Sequence, residues 1–437
     1  MNQGNRSLVV FERAAVGLLL LSATGVTAFS RSSMTWEHLQ MPALLGLLAL
    51  TITFCYRVKI SNRFLILIGG FVALFIAQSL IYQSISPKYF LLYPFNFWIA
   101  YCFVRAMRER FLYHLEYIVT SLAAISLIIW LADVVTGSAI RHLLSGMSVG
   151  RPYAPIVDSY IIVQAFINEN VGATIPRNSG FAWEPGAFAV ICCAGLLINQ
   201  YRTGLRIRNN HGAVILIVAL LSSQSTTGYS ILMAFLLAKF WQQIRGAARA
   251  LMVPLVSLII LFVFSSVPFM QSKIQELLAQ DLHEMAVIAS YEWNIGRPVA
   301  AQRFLSFQLD FADFLKNPWT GYGGQDEQML VRQEGLNIIS ISGIGKIMAK
   351  FGIAGIAFFL CITAASSVHL GRQFGGSSPS LLLLYIVLVS ISYSLVEHPL
   401  FLCLWCFWLF ARPMAGISVP VEAQRAAGPY AQGVETT

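Results

Sequence analysis

Charged residues are scarce in this sequence, and carboxylates are scarcer than cations. Only 11% of the residues are charged, whereas 57% are hydrophobic, and the formal net charge is +9. A soluble chain of this length has no use for so much apolar surface. The composition therefore argues against a soluble protein and predicts an integral membrane protein.

Cysteine is missing from the segments between the apolar runs, which argues against a disulfide framework in the loops. Cys403 and Cys406 have the spacing of half a zinc site. They lie inside an apolar run without a second pair, so we interpret them as small apolar side chains. Asp281, His283 and Glu284 combine metal-ligand types, but on an amphipathic helix we interpret them as a solvated face. We predict no metal.

Two signatures of transport are also missing. The sequence has no glycine-rich phosphate loop followed by Lys and Ser or Thr, which argues against ATP-driven transport. Apart from Asp133, and Glu116 near one end, the apolar runs hold almost no acidic residue. An ion-coupled transporter holds such residues near the membrane midplane. We therefore predict no cofactor and no coupling ion.

Twelve apolar stretches are long enough to cross the hydrocarbon layer of about 30 Å. The polar residues 222–228 interrupt one long run, and we predict two helices there rather than one. The sequence thus predicts an all-α polytopic fold. The spans are approximately 12–30, 41–56, 64–82, 89–105, 115–135, 184–200, 210–224, 226–243, 250–268, 344–367, 380–396 and 399–413.

Lys and Arg are concentrated in alternate short loops, and the opposite short loops contain only Arg31 and Lys88. By the positive-inside rule both termini are cytoplasmic, and the basic excess is a topology signal rather than a nucleic-acid surface. The first span is then an uncleaved anchor and not a signal peptide. We predict one membrane domain, residues 1–413, with folded outward loops at about 136–183 and 269–343. A flexible cytoplasmic tail follows at 414–437.

Residues 176–186 place an Arg and a Glu seven residues apart where an apolar run begins. Pro185 suits a first helical turn, and Glu184 suits the capping position before it. One interpretation is a capped helix start beside an interfacial Arg177. The other is a functional pair, because charges at the bilayer edge are costly to keep.

The outward segments hold more cations than topology requires. Such a set of cations suits a diphosphate ligand, because Arg binds two of its oxygens through paired hydrogen bonds and Lys adds a point charge. Lys346 and Lys350 share a helix face, and snorkelling to the headgroups is the competing interpretation. The predicted binding residues are Arg177, Arg297, Arg303, Arg332, Lys346 and Lys350, with the aromatic residues Trp183 and Tyr322.

A bound diphosphate can be the leaving group of a glycosyl transfer. The hydroxyl of the acceptor sugar then needs a base to remove its proton, and a carboxylate at the bilayer edge can act as that base. Glu184 is the first candidate for this catalytic role. Its rivals are Glu397 and His398, which lie in the short turn between the last two predicted spans.

Four short motifs, taken in order, carry a resemblance to a known family. They are Arg177 with the Glu-Pro helix start, the Ser/Thr-rich residues 222–229, the Asn-Pro and Gly-x-Gly of 317–324, and the Gly-Ile-x-Gly of 348–355. This order resembles the O-antigen polymerase and O-antigen ligase superfamily of bacterial inner-membrane enzymes. Ligases of that superfamily carry a His-Asn pair where this chain has Ile341 and Ser342, which favours a polymerase.

The resemblance implies a fold of the GT-C-like, lipid-dependent glycosyltransferase type. It implies metal- and nucleotide-independent polymerisation of undecaprenyl-pyrophosphate-linked repeat units into O-antigen, capsule or exopolysaccharide. A flippase and a chain-length regulator are the implied partners, with membrane lipid around the protein. The alternatives are ligase-type transfer of glycan to lipid A core or protein, a flippase for lipid-linked sugars, and an inactive scaffold.

Overall fold

The computed structural model describes residues 3–24, 40–137, 139–145, 157–161, 163–167, 175–204, 207–243, 299–336, 338–374 and 378–411. These residues are mostly helical. The helices are α1 (Gln3–Ala23), α2 (Gln40–Tyr56), α3 (Asn62–Tyr82), α4 (Pro87–Met107), α5 (Glu109–Val135), α6 (Ala139–Ser145), α7 (Pro185–Thr203), α8 (His211–Ser222), α9 (Thr226–Gln243), α10 (Arg303–Lys316), α11 (Leu330–Gln333), α12 (Gly343–Gln373), α13 (Leu381–Ser392), α14 (Pro399–Trp405) and α15 (Phe407–Phe410).

Two small sheets lie between these helices. An antiparallel pair joins β1 (Val157–Ile161) to β2 (Gln164–Ile167), and a parallel pair joins β3 (Val299–Ala300) to β4 (Ile338–Ile339). Both lie in the segments that the sequence predicts as outward loops, and β3 and β4 flank α10 and α11.

Among the described residues, α3, α4, α5 and α12 are long and apolar enough to cross a membrane, and α2, α8 and α13 contain shorter apolar helices. This confirms an all-α membrane protein, while the count of twelve spans stays a prediction. The predicted break near residue 224 is confirmed, because α8 ends at Ser222 and α9 begins at Thr226. The predicted span 250–268, the tail 414–437 and Arg297 lie outside the described residues.

The core of the bundle is α7, which begins where the sequence places its Glu-Pro motif. Every residue from Pro185 to Tyr201 is buried, and the helix contacts α5, α8, α9 and α13. Small residues allow this close approach: a Cβ at Gly195 would lie 3.1 Å from Leu216, and one at Gly228 would lie 2.6 Å from Ala189. Such small-residue contacts are typical of helices that pack within a membrane.

Two buried carboxylates tie helices together: Glu116, which the sequence already places near one end of an apolar run, and Glu12, at the start of the first predicted span. Glu12 is fully buried on α1 and accepts hydrogen bonds from Tyr56 at 2.6 Å and His114 at 2.8 Å. Glu116 on α5 accepts 2.8 Å and 3.1 Å hydrogen bonds from Arg202 on α7. Each acid is stabilised by partners from other helices, which pattern along one helix does not reveal.

The segment after α10 folds onto a break in α12. Gly352 has φ 62°, so the helical hydrogen bonding stops there. Residues of 317–324 take up the exposed groups: Tyr322 N donates to Ala349 O and Gly323 N to Lys350 O, both at 2.9 Å, and Ile353 N donates to Pro318 O at 2.7 Å. This junction fixes α10 against the first turns of α12.

Candidate functional site

Glu184 begins α7 without using its side chain as a cap. Its backbone is extended, with φ −152° and ψ 158°, Pro185 occupies the first helical turn, and no backbone N–H of the described helix start bonds to the carboxylate. About 27% of the side chain is exposed. The capping interpretation from the sequence therefore explains the backbone but leaves the carboxylate available for another role.

Arg303, at the start of α10, faces this carboxylate. Its Nη2 lies 3.9 Å from Glu184 Oε1 and donates a 2.9 Å hydrogen bond to the Tyr393 hydroxyl. The guanidinium carbon also lies 5.1 Å from the centre of the Tyr393 ring. A distance of 3.9 Å is longer than a charge-assisted hydrogen bond. Arg303 is therefore held mainly by Tyr393, and its guanidinium does not hydrogen-bond to the Glu184 carboxylate.

Tyr393 joins the two charged groups. Its hydroxyl accepts from Arg303 and hydrogen-bonds to the Glu184 carboxylate. A tyrosine phenol keeps its proton at neutral pH, so the hydroxyl donates the hydrogen bond to the carboxylate. A Cβ at Gly186 would overlap the hydroxyl, so the glycine of the Glu-Pro-Gly motif gives Tyr393 its place.

Two further predicted residues lie at this point. Trp183 packs edge-on against Tyr393, with ring centres 6.2 Å apart at 81°. Arg177 Nε donates to Ser223 O at 3.4 Å, and its charge acts on Tyr393. We call Arg177, Trp183, Glu184, Arg303 and Tyr393 the Glu184 cluster. The sequence identified four of its members, and Tyr393 was missed because no local motif marks it.

The second set of residues surrounds Lys350 on α12. Lys350 Nζ donates to Tyr93 at 3.1 Å and lies 3.3 Å from Glu397 Oε1, while the Tyr93 hydroxyl donates to the same carboxylate at 2.8 Å. Tyr89 lies under the ammonium group at 4.9 Å. Burial alone raises the pKa of Glu397, but Lys350 and Lys346 oppose it, and the net shift is downward. Glu397 is thus the partner of a buried cation rather than an available base.

Removing the cation from this pair strands a carboxylate, so we expect Lys350→Met to lower the free energy of unfolding by about 3 kcal/mol. The double variant Lys350→Met/Glu397→Gln removes both charges and should recover most of the loss. Thermal unfolding of the purified variants in detergent measures both effects. Equal midpoints for the single and double variants would show that the Glu397 charge left behind costs nothing, which contradicts a stranded carboxylate.

Lys346 lies between the two sets. Its Nζ donates to Ser394 Oγ at 3.4 Å, next to Tyr393 in the chain, and its charge acts on both Glu397 and Asp310. Tyr322 is buried, and the charge of Lys350 acts on its phenol. The structure therefore brings Lys346, Lys350 and Tyr322 together, as a neighbour of the Glu184 cluster rather than as a ring around it.

Asp310 is a titratable group that the sequence did not identify. It is 1% exposed, Oδ2 accepts from Ser340 at 2.6 Å, and Oδ1 has no partner among the described residues. Gly345 permits this approach, since a Cβ there would lie 2.5 Å from Oδ2. Burial raises the pKa of Asp310 to about 7, and the charge of Asp313 adds to the rise. The hydrogen bond from Ser340 and the charges of Lys346 and Lys350 oppose it.

A carboxyl with a raised pKa keeps a proton that the unfolded chain releases, so its contribution to stability falls as the pH rises from about 4 to about 7. Asp310→Asn keeps the shape without titrating. We expect the variant to gain stability relative to the wild type as the pH rises from 5 to 8, by at most about 3 kcal/mol. Thermal midpoints at both pH values measure this gain, with the exposed Glu327→Gln as control. A difference that does not change with pH would contradict the titration of Asp310.

Two other predicted residues lie apart from the Glu184 cluster. Both ring nitrogens of His398 are engaged: Nδ1 accepts from Leu400 N and Nε2 contacts Ser22 Oγ, each at 3.2 Å. Burial lowers the pKa of His398 to about 4, although the contact with Ser22 opposes the shift. It caps α14, and we give it no catalytic role below. Arg332 is half-buried on α11, and its guanidinium contacts no residue of the cluster in the described structure.

An apolar cavity of about 380 Å³ opens next to Lys350. Side chains of α3, α4, α12 and α14 line it, among them Phe71, Phe97, Phe358 and Trp405, and Glu397 lies on its wall. A hydrocarbon chain is the ligand chemistry that such a lining accepts. The charged side chains next to the cavity suit the polar head of the same molecule.

No protein-family model, curated protein or solved structure matches this chain. Within the described residues no three His, Cys, Asp or Glu side chains form a group that could hold a metal ion.

Proposed function

We propose that this protein is a membrane glycosyltransferase that polymerises polyprenyl-diphosphate-linked oligosaccharide repeat units. The observation that carries the proposal is the carboxylate of Glu184, which caps no helix and lies beside Arg303 and the Tyr393 hydroxyl. A base beside a diphosphate-binding guanidinium is what glycosyl transfer from a lipid diphosphate requires.

In the proposed reaction Glu184 removes the proton from a hydroxyl of the acceptor sugar. The resulting oxygen attacks the anomeric carbon of the donor, the bond from that carbon to the diphosphate breaks, and its electron pair stays on the diphosphate. Arg303, Arg177 and Lys346 stabilise the charge that develops there. Tyr393 holds the carboxylate towards the acceptor through its hydrogen bond. No metal or nucleotide takes part.

We infer the membrane placement from the sequence. With twelve spans and cytoplasmic termini in a bacterial inner membrane, the Glu184 cluster faces the periplasm. The proposed fold is of the GT-C-like type, and the apolar cavity accepts the first part of the polyprenyl chain. The partners are then the flippase that supplies the lipid-linked units and a chain-length regulator.

Polymerase activity is favoured over ligase activity by the start of α12. Ser342 occupies one of the positions where ligases of the superfamily that the sequence resembles carry His-Asn, and its Oγ accepts from Gly345 N at 3.1 Å as a helix cap. The polar group at that position is therefore committed to structure.

A gel of the surface glycan from cells with and without the gene tests the proposal. A polymerase deletion leaves single repeats on the final acceptor and removes the ladder of longer chains. Loss of the single repeats as well would indicate a ligase, and accumulation of lipid-linked units in the inner leaflet would indicate a flippase.

A further inference from the structure

Helix α10 buries polar side chains and exposes large apolar ones. Ser306, Asp310 and Asp313 are buried against the rest of the protein, together with Leu305 and Leu309. The large apolar side chains point outward: Phe304 is 51% exposed, Phe307 37%, Phe311 40% and Leu315 61%. Helical spacing puts these four on one face.

Each of the buried polar side chains makes at least one hydrogen bond, so this orientation of α10 is a stable feature of the fold. Ser306 Oγ donates to Ala301 O at 2.9 Å and accepts from Ile341 N at 3.1 Å. Asp313 Oδ1 accepts from Leu330 N at 2.7 Å. Rotating α10 to bury its phenylalanines would break these bonds and turn Ser306, Asp310 and Asp313 outward.

The outward face is a continuous aromatic surface. Rings stack from Phe307 to Phe311 at 6.0 Å and from Phe311 to Phe314 at 5.9 Å. Trp319, just after the helix, is 74% exposed. An apolar face of this size requires an apolar neighbour, and an exposed Trp beside it is typical of the membrane-water interface.

Hydrogen bonds place this surface at one end of the membrane-crossing helix α3. Gln78 Nε2 donates to Thr320 O, and the Tyr82 hydroxyl donates to Gly321 O at 2.9 Å. Next to these contacts α3 exposes Leu80 by 74% and Ile81 by 56%. The aromatic face of α10 therefore lies close to side chains that face lipid.

We propose that α10 is an interfacial helix whose Phe304, Phe307, Phe311 and Leu315 insert into the bilayer leaflet at the C-terminal end of α3. The apolar face of α10 then contacts the boundary between lipid headgroups and acyl chains, where amphipathic helices bind. Gln308 shares this face and lies at headgroup depth. Because Arg303 begins the same helix, insertion sets the height of the guanidinium above the hydrocarbon. The proposal does not rest on the enzymatic function.

Spin labelling of the full chain in lipid nanodiscs tests it. Exposed Cys55 and Cys361 are first replaced by Ser, and single cysteines are introduced by Phe304→Cys, Phe307→Cys, Phe311→Cys and Leu315→Cys. The matched control is Lys316→Cys, on the same helix but off the aromatic face. We expect nitroxides at the four face positions to be several-fold more accessible to oxygen than to a water-soluble nickel complex, and the control to show the reverse.

High nickel accessibility at the face positions would overturn the proposal. Dipolar broadening between copies, with low access to oxygen, would also overturn it, because a second copy of the chain would then cover the face. A measurement without labels gives an independent result: the fluorescence that Trp319→Phe removes should be quenched by brominated phosphatidylcholine in the wild type, so the variant should lose part of the quenching. No quenching of that part would contradict membrane insertion.

Discussion

Glu184→Gln should abolish glycan chains longer than one repeat while the amount of protein in the membrane stays normal. The amide keeps the size of the side chain and can still bond to Tyr393, but it accepts no proton from the acceptor hydroxyl. Loss of a positioned general base lowers the rate by about 10²–10⁴-fold. At that rate no ladder of longer glycan chains should be visible on a gel. The measurement is the chain-length distribution of the surface glycan in a deletion strain that carries the variant.

Glu334→Gln is the matched control, since Glu334 is an exposed carboxylate in the same outward segment. It should give the wild-type ladder. Unchanged chain lengths in the Glu184→Gln strain would remove Glu184 from the mechanism. Loss of the variant protein from the membrane would instead make its role structural, and quantitative immunoblotting distinguishes the two results.

Arg303→Ala should have the second largest effect, lowering polymerisation by about 10²–10³-fold, as loss of a charge-stabilising donor does in other enzymes. Arg303→Lys should recover only part of the activity, because an ammonium lacks the planar fork that binds two oxygens at once. We expect little change in stability, since the side chain is 35% exposed and its bonds are to Tyr393 and Glu184.

The control for Arg303 is Arg208→Ala, an exposed arginine near the opposite end of α7. Initial rates with increasing concentrations of lipid-linked donor separate binding from chemistry. A raised KM with unchanged kcat would mean that Arg303 binds donor and transition state equally. Full activity of Arg303→Ala would contradict its role on the diphosphate.

Local signals in the sequence were enough to predict where the key helices begin. Pro185 and Glu184 define the start of α7 because proline and a capping residue act on the backbone beside them. Helix α10, Arg303–Lys316, begins at one of the arginines that the sequence predicts as a binding residue. Helical spacing also puts Arg303 and Asp310 on one side of this helix, but only Arg303 was predicted as a site residue.

The remaining features depend on contacts between distant parts of the chain. Tyr393 is 209 residues from Glu184 and 90 from Arg303, and nothing around it in the sequence marks it. Lys346 and Lys350 were predicted to share a face, yet Lys350 is bound to Glu397 and Tyr93. Lys350 is the paired lysine because α4 and the turn before α14 pack against α12 and bring Tyr93 and Glu397 to it. The inward polar face of α10 likewise has no signature apart from its neighbours.

The most direct measurement of the central claim uses purified protein in proteoliposomes with a polyprenyl-diphosphate-linked repeat unit as the sole substrate. The account predicts that the wild type makes a ladder of longer glycans in the presence of a chelator, and releases one polyprenyl diphosphate for each bond formed. Glu184→Gln should form neither product while still binding the donor. A ladder of normal length from Glu184→Gln, or a wild type that moves the lipid across the bilayer without joining sugars, would contradict it.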